Sequence, residues 1–562
     1  MAMPHRRGAG AAWALAALLL GHPRAVPADP GTALDGEGAA ALRGILDAAA
    51  HPELRWPDFR PYQDEVRDFY ARLGSGLGWV RDRRPTPQAL ALIGLLRTSD
   101  DKGLVPDDYD ASRWAERLQR LPAATDAGLA SFDAALTVSA IRYARALHVG
   151  RVSPKSLGLA LTAWDARHDV GEFLHDHVVA SDDVPGAMRA LEPSFPGYVR
   201  TLEALRRYRE LARGDVGAPL AVPAKPVRPG GSYPDLPRLV ERLRLLGDLP
   251  TSAAPEPGST AYQGPVVEAV RRFQSRHGQR PDGVLEDEAV RELNVPLDRR
   301  VRQMELTLER WRWMERSFPQ PPVVVNLPAY RLSAFGDDDR VVLEKNVIVG
   351  RSYGHKTPVF EKQIRYVVFR PYWEVTPTIQ RTEIVPRLRK DRGWLARKRF
   401  EVVTHDGTLV TDGEVSDEVL DRLAAGKLRV RQKPGPGNSL GLVKLIFPNE
   451  ENVYLHGTEA PQLFEREERD LSHGCIRVEE PADLAAWALR HNSGWSLERV
   501  KAAMNGPQDN LTVNLARPMP VLLVYGTALV DESGAVFFYD DVYGYDRDLD
   551  AALRRGYPYP TP

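Results

Sequence analysis

The residues best equipped for chemistry lie in two short stretches, Tyr454-Leu455-His456-Gly457-Thr458 and Ser472-His473-Gly474-Cys475-Ile476-Arg477. Cys475 is the only cysteine among 562 residues. It has no partner for an intramolecular disulfide, so it is either a buried apolar thiol or a reactive one. A thiol attacks as its thiolate, and the ordinary cysteine pKa of about 8.5 must come down for that to happen near neutral pH. Two imidazoles, a guanidinium and a glycine close to the sulfur are the groups such a nucleophile needs. Either His456 or His473 can act as the general base that takes the thiol proton and later returns it to a leaving amine. His473 is two residues from the sulfur, but His456, ending the strand-like run from Val453, is better able to approach from outside. Gly474, lacking a Cβ, lets backbone N–H groups come close to an incoming carbonyl, as an oxyanion hole requires. Zinc held by His456, His473, Cys475 and His491 is the competing chemistry. No further carboxylate or histidine follows the spacing of a catalytic zinc site, so neither metal nor cofactor is expected.

These residues need elements to hold them. The Val453 run brings His456 to a strand end, and the Ser472–Cys475 loop leads toward helical sequence from Ala482 to Leu489. That order predicts a thiol near a helix N-terminus, whose dipole favours thiolate. Upstream, 322–327, 341–343, 347–349 and 366–369 are short, β-branched and separated by turn residues, the pattern of an all-β core of paired strands. Residues about 378–437 interrupt it with Arg/Lys-rich helical sequence and a Pro434-Gly435-Pro436-Gly437 hinge. This insertion reads either as a lid over the site or as a solvated excursion.

A chain of this length exceeds one core, and three or four domains are expected. Residues 1–28 have a basic start, an apolar run from Ala9 to Leu20 and a Val26-Pro27-Ala28 exit, the layout of a secretory signal peptide. The run is short of the roughly 20 apolar residues a spanning helix needs. Contact with a membrane is therefore expected only if the signal is retained. Residues 29–215 are Ala-, Leu- and Arg-rich at helical spacing, with Leu136, Ile141, Ala144 and Leu147 on one stripe, and read as a helical scaffold. His148 to Pro154 reads as a helix end with a structural arginine. Five prolines and Gly230-Gly231 make 216–235 an exposed linker. Residues 236–297 form a small three-helix unit, 298–321 a connecting helix, 322–526 the catalytic domain and 527–562 a C-terminal extension. With 75 Lys+Arg against 76 Asp+Glu, nothing in the charge balance points to nucleic acid.

The His-Gly-Thr and Ser-His-Gly-Cys-Ile-Arg pair resembles the signature of the L,D-transpeptidase, or YkuD-type, catalytic domain. Phe273-Gln274, Gly278 and Asp282-Gly283 resemble the hallmark of a peptidoglycan-binding domain, and the whole order resembles the large subgroup with a helical scaffold. The fold implied is multidomain α+β, a mostly β catalytic domain preceded by helical modules. The resemblance implies Cys475 as nucleophile, His456 as base and the Gly457 carbonyl as its orienter. It places Tyr454, His473 and Gly474 around the oxyanion and Arg477 on the loop or on a substrate carboxylate. Ser472 belongs to the same motif, and Trp373, within Pro371–Pro377, resembles a cleft wall. The implied activity is crosslinking of peptidoglycan stems between third residues through a cysteinyl thioester, with release of terminal D-alanine. The alternatives are L,D-carboxypeptidase trimming and a catalytically silent wall-binding scaffold. Stem peptides and glycan are the implied partners, carbapenems the implied inhibitors, and the periplasm or cell wall the implied location.

Overall fold

The computed structural model describes residues 34–559 apart from 75, 162–168, 216, 254, 255, 257 and 317, so the signal expected over 1–28 lies outside the described residues. The chain divides into two compact units, one drawn from 1–317 and 525–562, the other from 318–524. No helix of the described residues is long and apolar enough to cross a membrane.

The first unit is built on α1 (Asp126–Val149), whose N-cap Thr125 accepts from the Gly128 N–H. The stripe of Leu136, Ile141, Ala144 and Leu147 is buried, but so are Asp133, Thr137 and Ser139, which puts α1 inside the helical core. Asp133 is satisfied there by the Tyr70 hydroxyl and the Trp79 N–H, each at 2.7 Å. Past α1, Arg151 pairs with Glu309 at 3.1 Å in full burial. Glu309 also accepts the Val152 N–H. The cationic end of this helix therefore serves the fold.

Three further helices, α2 (Leu236–Leu245), α3 (Pro265–Arg276) and α4 (Asp287–Leu293), share a core of Leu239, Val270, Phe273 and Val290. Gln274 holds the Asp-Gly turn: its amide donates to Asp282 Oδ1 and the Val284 carbonyl, both at 3.1 Å, and accepts the Gly283 N–H at 2.8 Å. The stretch 216–235 is not an exposed linker along its length. Leu220 and Tyr233 are buried in this same core and Val227 bridges to Leu285. The few apolar residues between its prolines have surface to bury, which proline counting overlooks. α5 (Leu297–Trp311) packs Met304 and Leu308 with the hairpin of Ala528–Val530 and Val536–Phe538. The segment read as an extension is thus part of the first unit.

The second unit begins with β1 (Val323–Asn326), β2 (Arg331–Phe335), β3 (Val341–Gly350) and β4 (Phe360–Phe369). The runs read separately at 341–343 and 347–349 are one continuous strand. The insertion follows as β5 (Trp373–Glu374), β6 (Phe400–Val403), β7 (Leu409–Thr411), α6 (Asp417–Ala424) and β8 (Arg429–Gln432). Its strands form a separate sheet in the order β5-β8-β6-β7. Leu388, Leu395, Val402, Leu420, Leu423 and Val430 give it a core of its own, so it is a folded subdomain and not a solvated helical excursion. Trp373 starts that sheet earlier than the expected boundary, and its ring lies 5.8 Å from Phe400 among the subdomain's apolar residues. Its pairing with Gln432 makes it part of the inserted sheet.

The chain returns through β9 (Val443–Ile446), β10 (Leu455–His456), β11 (Asp470–Ser472), β12 (Ile476–Val478), α7 (Pro481–Ala488) and β13 (Leu511–Val524). The large sheet runs β11-β3-β12-β10-β9-β4-β13-β1-β2, and β2 pairs back to β3, closing it. Closure leaves β11 as the strand appended outside the ring and stacks apolar side chains inside.

Candidate active site

Register decides what meets at β10. It runs antiparallel to β9, with Lys444 opposite His456, and parallel to β12, with His456 beside Arg477. The Ile476 N–H donates to the Tyr454 carbonyl at 3.1 Å, which carries the register back and sets Cys475 beside Tyr454. Because side chains alternate along a strand, Lys444, Tyr454, His456, Cys475 and Arg477 share one face. Leu445, Leu455 and Ile476 are fully buried on the other. Diagonal neighbours on one face of a sheet lie about 7–8 Å apart, within reach of an imidazole. In this conformation the thiol donates to the Asn452 carbonyl at 3.6 Å, and no hydrogen bond joins sulfur to His456 among the described residues.

His456 is buried, and its Nδ1 lies 2.6 Å from the Gly457 carbonyl. A carbonyl only accepts, so Nδ1 carries the proton and Nε2 is left as a bare acceptor. Burial, then the charges of Arg477 and Lys444, bring this imidazole down to about 3, so it is neutral near neutral pH. Gly441 explains how the covering loop fits: at φ +65°, a Cβ on it would lie 2.7 Å from the Thr458 N. Only glycine accepts that conformation and that approach together.

Cys475 departs from expectation in two respects. β12 and the cap residue Glu480 stand between it and α7, so the sulfur does not open a helix. Burial pushes the thiol up from its ordinary value, opposed by the Tyr454 N–H and hydroxyl and then by Lys444 and Arg477. Desolvation of the thiolate outweighs the nearby cations. The Gly474 N–H is likewise not free for an oxyanion, since it donates to Ser472 Oγ at 3.1 Å. Ser472 in turn donates to the Cys475 carbonyl at 2.5 Å, and the Gly474 carbonyl accepts from Thr357 at 2.8 Å. These bonds fix the loop and leave the Cys475 N–H itself as a backbone donor without a hydrogen-bond partner among the described residues.

Residues 321–506 match the family model of the L,D-transpeptidase catalytic domain, known as YkuD. The likeness to L,D-transpeptidases thus lies in the second unit. Residues 64–205 match the model of a scaffold domain. A Haemophilus influenzae (strain ATCC 51907 / DSM 11121 / KW20 / Rd) protein with a provisional L,D-transpeptidase name is 31% identical over 230 residues, 41% of this chain and 45% of that protein. The chain thus matches less than half the length of this curated relative. A solved L,D-transpeptidase fragment (residues 123–326) of Xylanimonas cellulosilytica DSM 15894 aligns over 55% of this chain and 100% of its own, at 16% identity and a TM-score of 0.18, too low to carry an argument.

Around the central face of the second unit, the other named residues separate. His473 Nε2 lies 2.6 Å from Glu383 of the inserted subdomain, and its ring is 4.9 Å from His355. It is thereby engaged away from the sulfur. Arg477 stays on the face, with a buried Nε that has no partner among the described residues. Tyr454 lies 5.6 Å from the His456 ring, and Lys444 Nζ sits 5.6 Å from the Tyr454 ring centre. Lys444, Gly441, Thr357 and Glu383 were not singled out by sequence. The alternation Val443-Lys444-Leu445 was the available signal for Lys444, whereas nothing local marks Glu383 or Thr357. No group of three or more His, Cys, Asp or Glu able to hold a metal exists among the described residues.

Proposed function

We propose that this protein is a cysteine-dependent acyltransferase acting on peptidoglycan stem peptides, an L,D-transpeptidase. The observation that supports this most is the strand register that gathers Cys475, His456, Lys444 and Arg477 on one face, with His456 Nε2 unprotonated and Nδ1 tied to the Gly457 carbonyl. Sulfur and imidazole both rest neutral, since burial raises the first and lowers the second. The proton therefore passes from Cys475 to His456 Nε2 as the sulfur attacks the carbonyl carbon of the third stem residue. Lys444 and Arg477 steady the developing negative charge, and the Cys475 N–H donates to the oxyanion. Collapse breaks the amide to terminal D-alanine, and His456 returns the proton to the departing amine, leaving a thioester. The side-chain amine of a neighbouring stem then attacks the thioester carbonyl, giving up its proton to His456. The new amide forms as the Cys475 thiolate leaves and is reprotonated.

Export to the periplasm or cell wall, glycan contact through 236–297 and acylation by carbapenems follow from the same reading. Incubation with disaccharide-tetrapeptide, followed by mass spectrometry beside a Cys475→Ala control, tests it. A crosslinked dimer lacking one D-alanine supports the transferase. A tripeptide alone means that water is the acceptor and the protein is a carboxypeptidase, and unchanged substrate removes the enzymatic reading.

A further inference from the structure

The first unit contains a cavity of about 250 Å³ whose lining includes Arg142, Arg145, Arg151, Tyr109, Tyr557 and Tyr559. Three guanidiniums on one small cavity demand partners. Those partners are only partly present. Arg151 uses Nε on Glu309 and Nη2 on the Gly103 carbonyl, but its Nη1 is buried without a hydrogen-bond partner among the described residues. Arg142 spends Nη2 on the carbonyls of Trp56 and Asp58, and its Nε is likewise buried with no partner among the described residues. The hydroxyls of Tyr109 and Tyr557 have no hydrogen-bond partner among the described residues either. All four residues are more than nine-tenths buried. Arg145, at the half-buried part of the lining, pairs with Glu65 at 2.6 Å. The acid on the lining, Asp108, accepts from the Tyr559 hydroxyl, and burial raises its pKa toward the neutral form.

Unpaired buried polar groups are uncommon in folded proteins, and four on one cavity ask for a common occupant. The unpaired atoms are guanidinium N–H donors and phenolic hydroxyls, so the occupant must supply acceptors, and charged donors favour an anion. Each of the two arginines keeps one buried nitrogen unpaired among the described residues, which suits one charge-assisted bond apiece to a carboxylate oxygen. The Arg142 guanidinium lies over the Tyr557 ring, 4.3 Å from its centre, which holds it at the cavity.

We propose that this cavity is a binding site for a small carboxylate ligand, held by Arg142 and Arg151 and by the hydroxyls of Tyr109 and Tyr557. The site belongs to the first unit and stands independently of the acyl transfer proposed above. Two sources share this chemistry, an acidic sugar and a peptide C-terminus.

Calorimetric titration of the full chain, as its Cys475→Ala form to exclude turnover, separates them with N-acetylmuramic acid, D-alanyl-D-alanine and inorganic phosphate as probes. One carboxylate probe should bind saturably with a Kd below about 1 mM. Tyr109→Phe should weaken it about tenfold through loss of one hydrogen bond to a charged group, with the unliganded unfolding midpoint unchanged. Tyr557→Phe should weaken it as well, and keeps the test open should the Tyr109 variant fold poorly. Binding of phosphate alone, no binding by any probe, or binding that both variants leave untouched would overturn the proposal; in the second case the cavity simply holds water.

Discussion

Lys444→Met is the perturbation that best isolates the electrostatics of the site. Lys444 stands two strands from Cys475 on the shared face. Strands about 4.8 Å apart put the two backbones about 10 Å from one another. A unit charge at about 10 Å and an effective dielectric of about 20 is worth roughly 1.7 kcal/mol, a little over one pKa unit. The sign follows from the cation's effect: Lys444 favours the thiolate, so its loss raises the thiol's pKa. Because Cys475 is the only cysteine, alkylation by iodoacetamide reports on it alone. The wild-type midpoint should lie above the ordinary thiol value, and in Lys444→Met it should move up by about one pH unit, with a rate near pH 8 lower by about tenfold. Lys444→Arg should restore the wild-type profile. A midpoint that stays in place or moves down in Lys444→Met would refute the argument that this cation reaches the sulfur.

Four further outcomes follow. His456→Ala should slow acylation by a thiol-reactive β-lactam by about 10²–10⁴-fold, the usual worth of a positioned base, while His473→Ala should change it little; equal losses would reverse the assignment. Ser472→Ala should lower unfolding stability by about 1–3 kcal/mol, because it strips partners from the buried Gly474 N–H and from the Cys475 carbonyl, and chemical denaturation measures this. Gly441→Ala should destabilise the domain and depress acylation together, since its positive φ and the 2.7 Å approach to Thr458 hold the loop above His456. The depressed imidazole also sets a pH dependence. An unfolded His456 binds its proton near 6.5 and the folded one only near about 3, so its contribution is complete above 6.5 and is lost as pH falls toward 3. Replacing it with Gln should flatten that part of the acid unfolding profile.

Local pattern was enough for much of this molecule. The β-branched runs at 322–327 and 366–369 became β1 and the end of β4, and the stripe through Leu136 and Leu147 became α1, because burial of one apolar set dominates each. The inserted subdomain was harder. Its Phe400–Val403 and Arg429–Gln432 strands are short and sit among Arg and Lys, whose charges mask pairing that depends on residues far away in the chain. At the site, the motif letters pointed to Cys475 and His456, and strand register places them diagonally. The direction of the thiol's shift was not readable, since desolvation depends on what covers the sulfur and sequence shows only its neighbours. The bond from the Gly474 N–H to the Ser472 hydroxyl was equally unreadable, since which N–H is free depends on where that hydroxyl turns.

The account stands on a thioester at Cys475. Incubation of the full chain with tetrapeptide stem but no acceptor, quenched in acid and read by intact-mass and peptide mass spectrometry, tests it most directly. The prediction is an added mass equal to the stem acyl group without its D-alanine, located on the peptide holding Cys475 and removed by hydroxylamine. A crosslinked product formed with no adduct at any time, or an adduct on another residue, would contradict it.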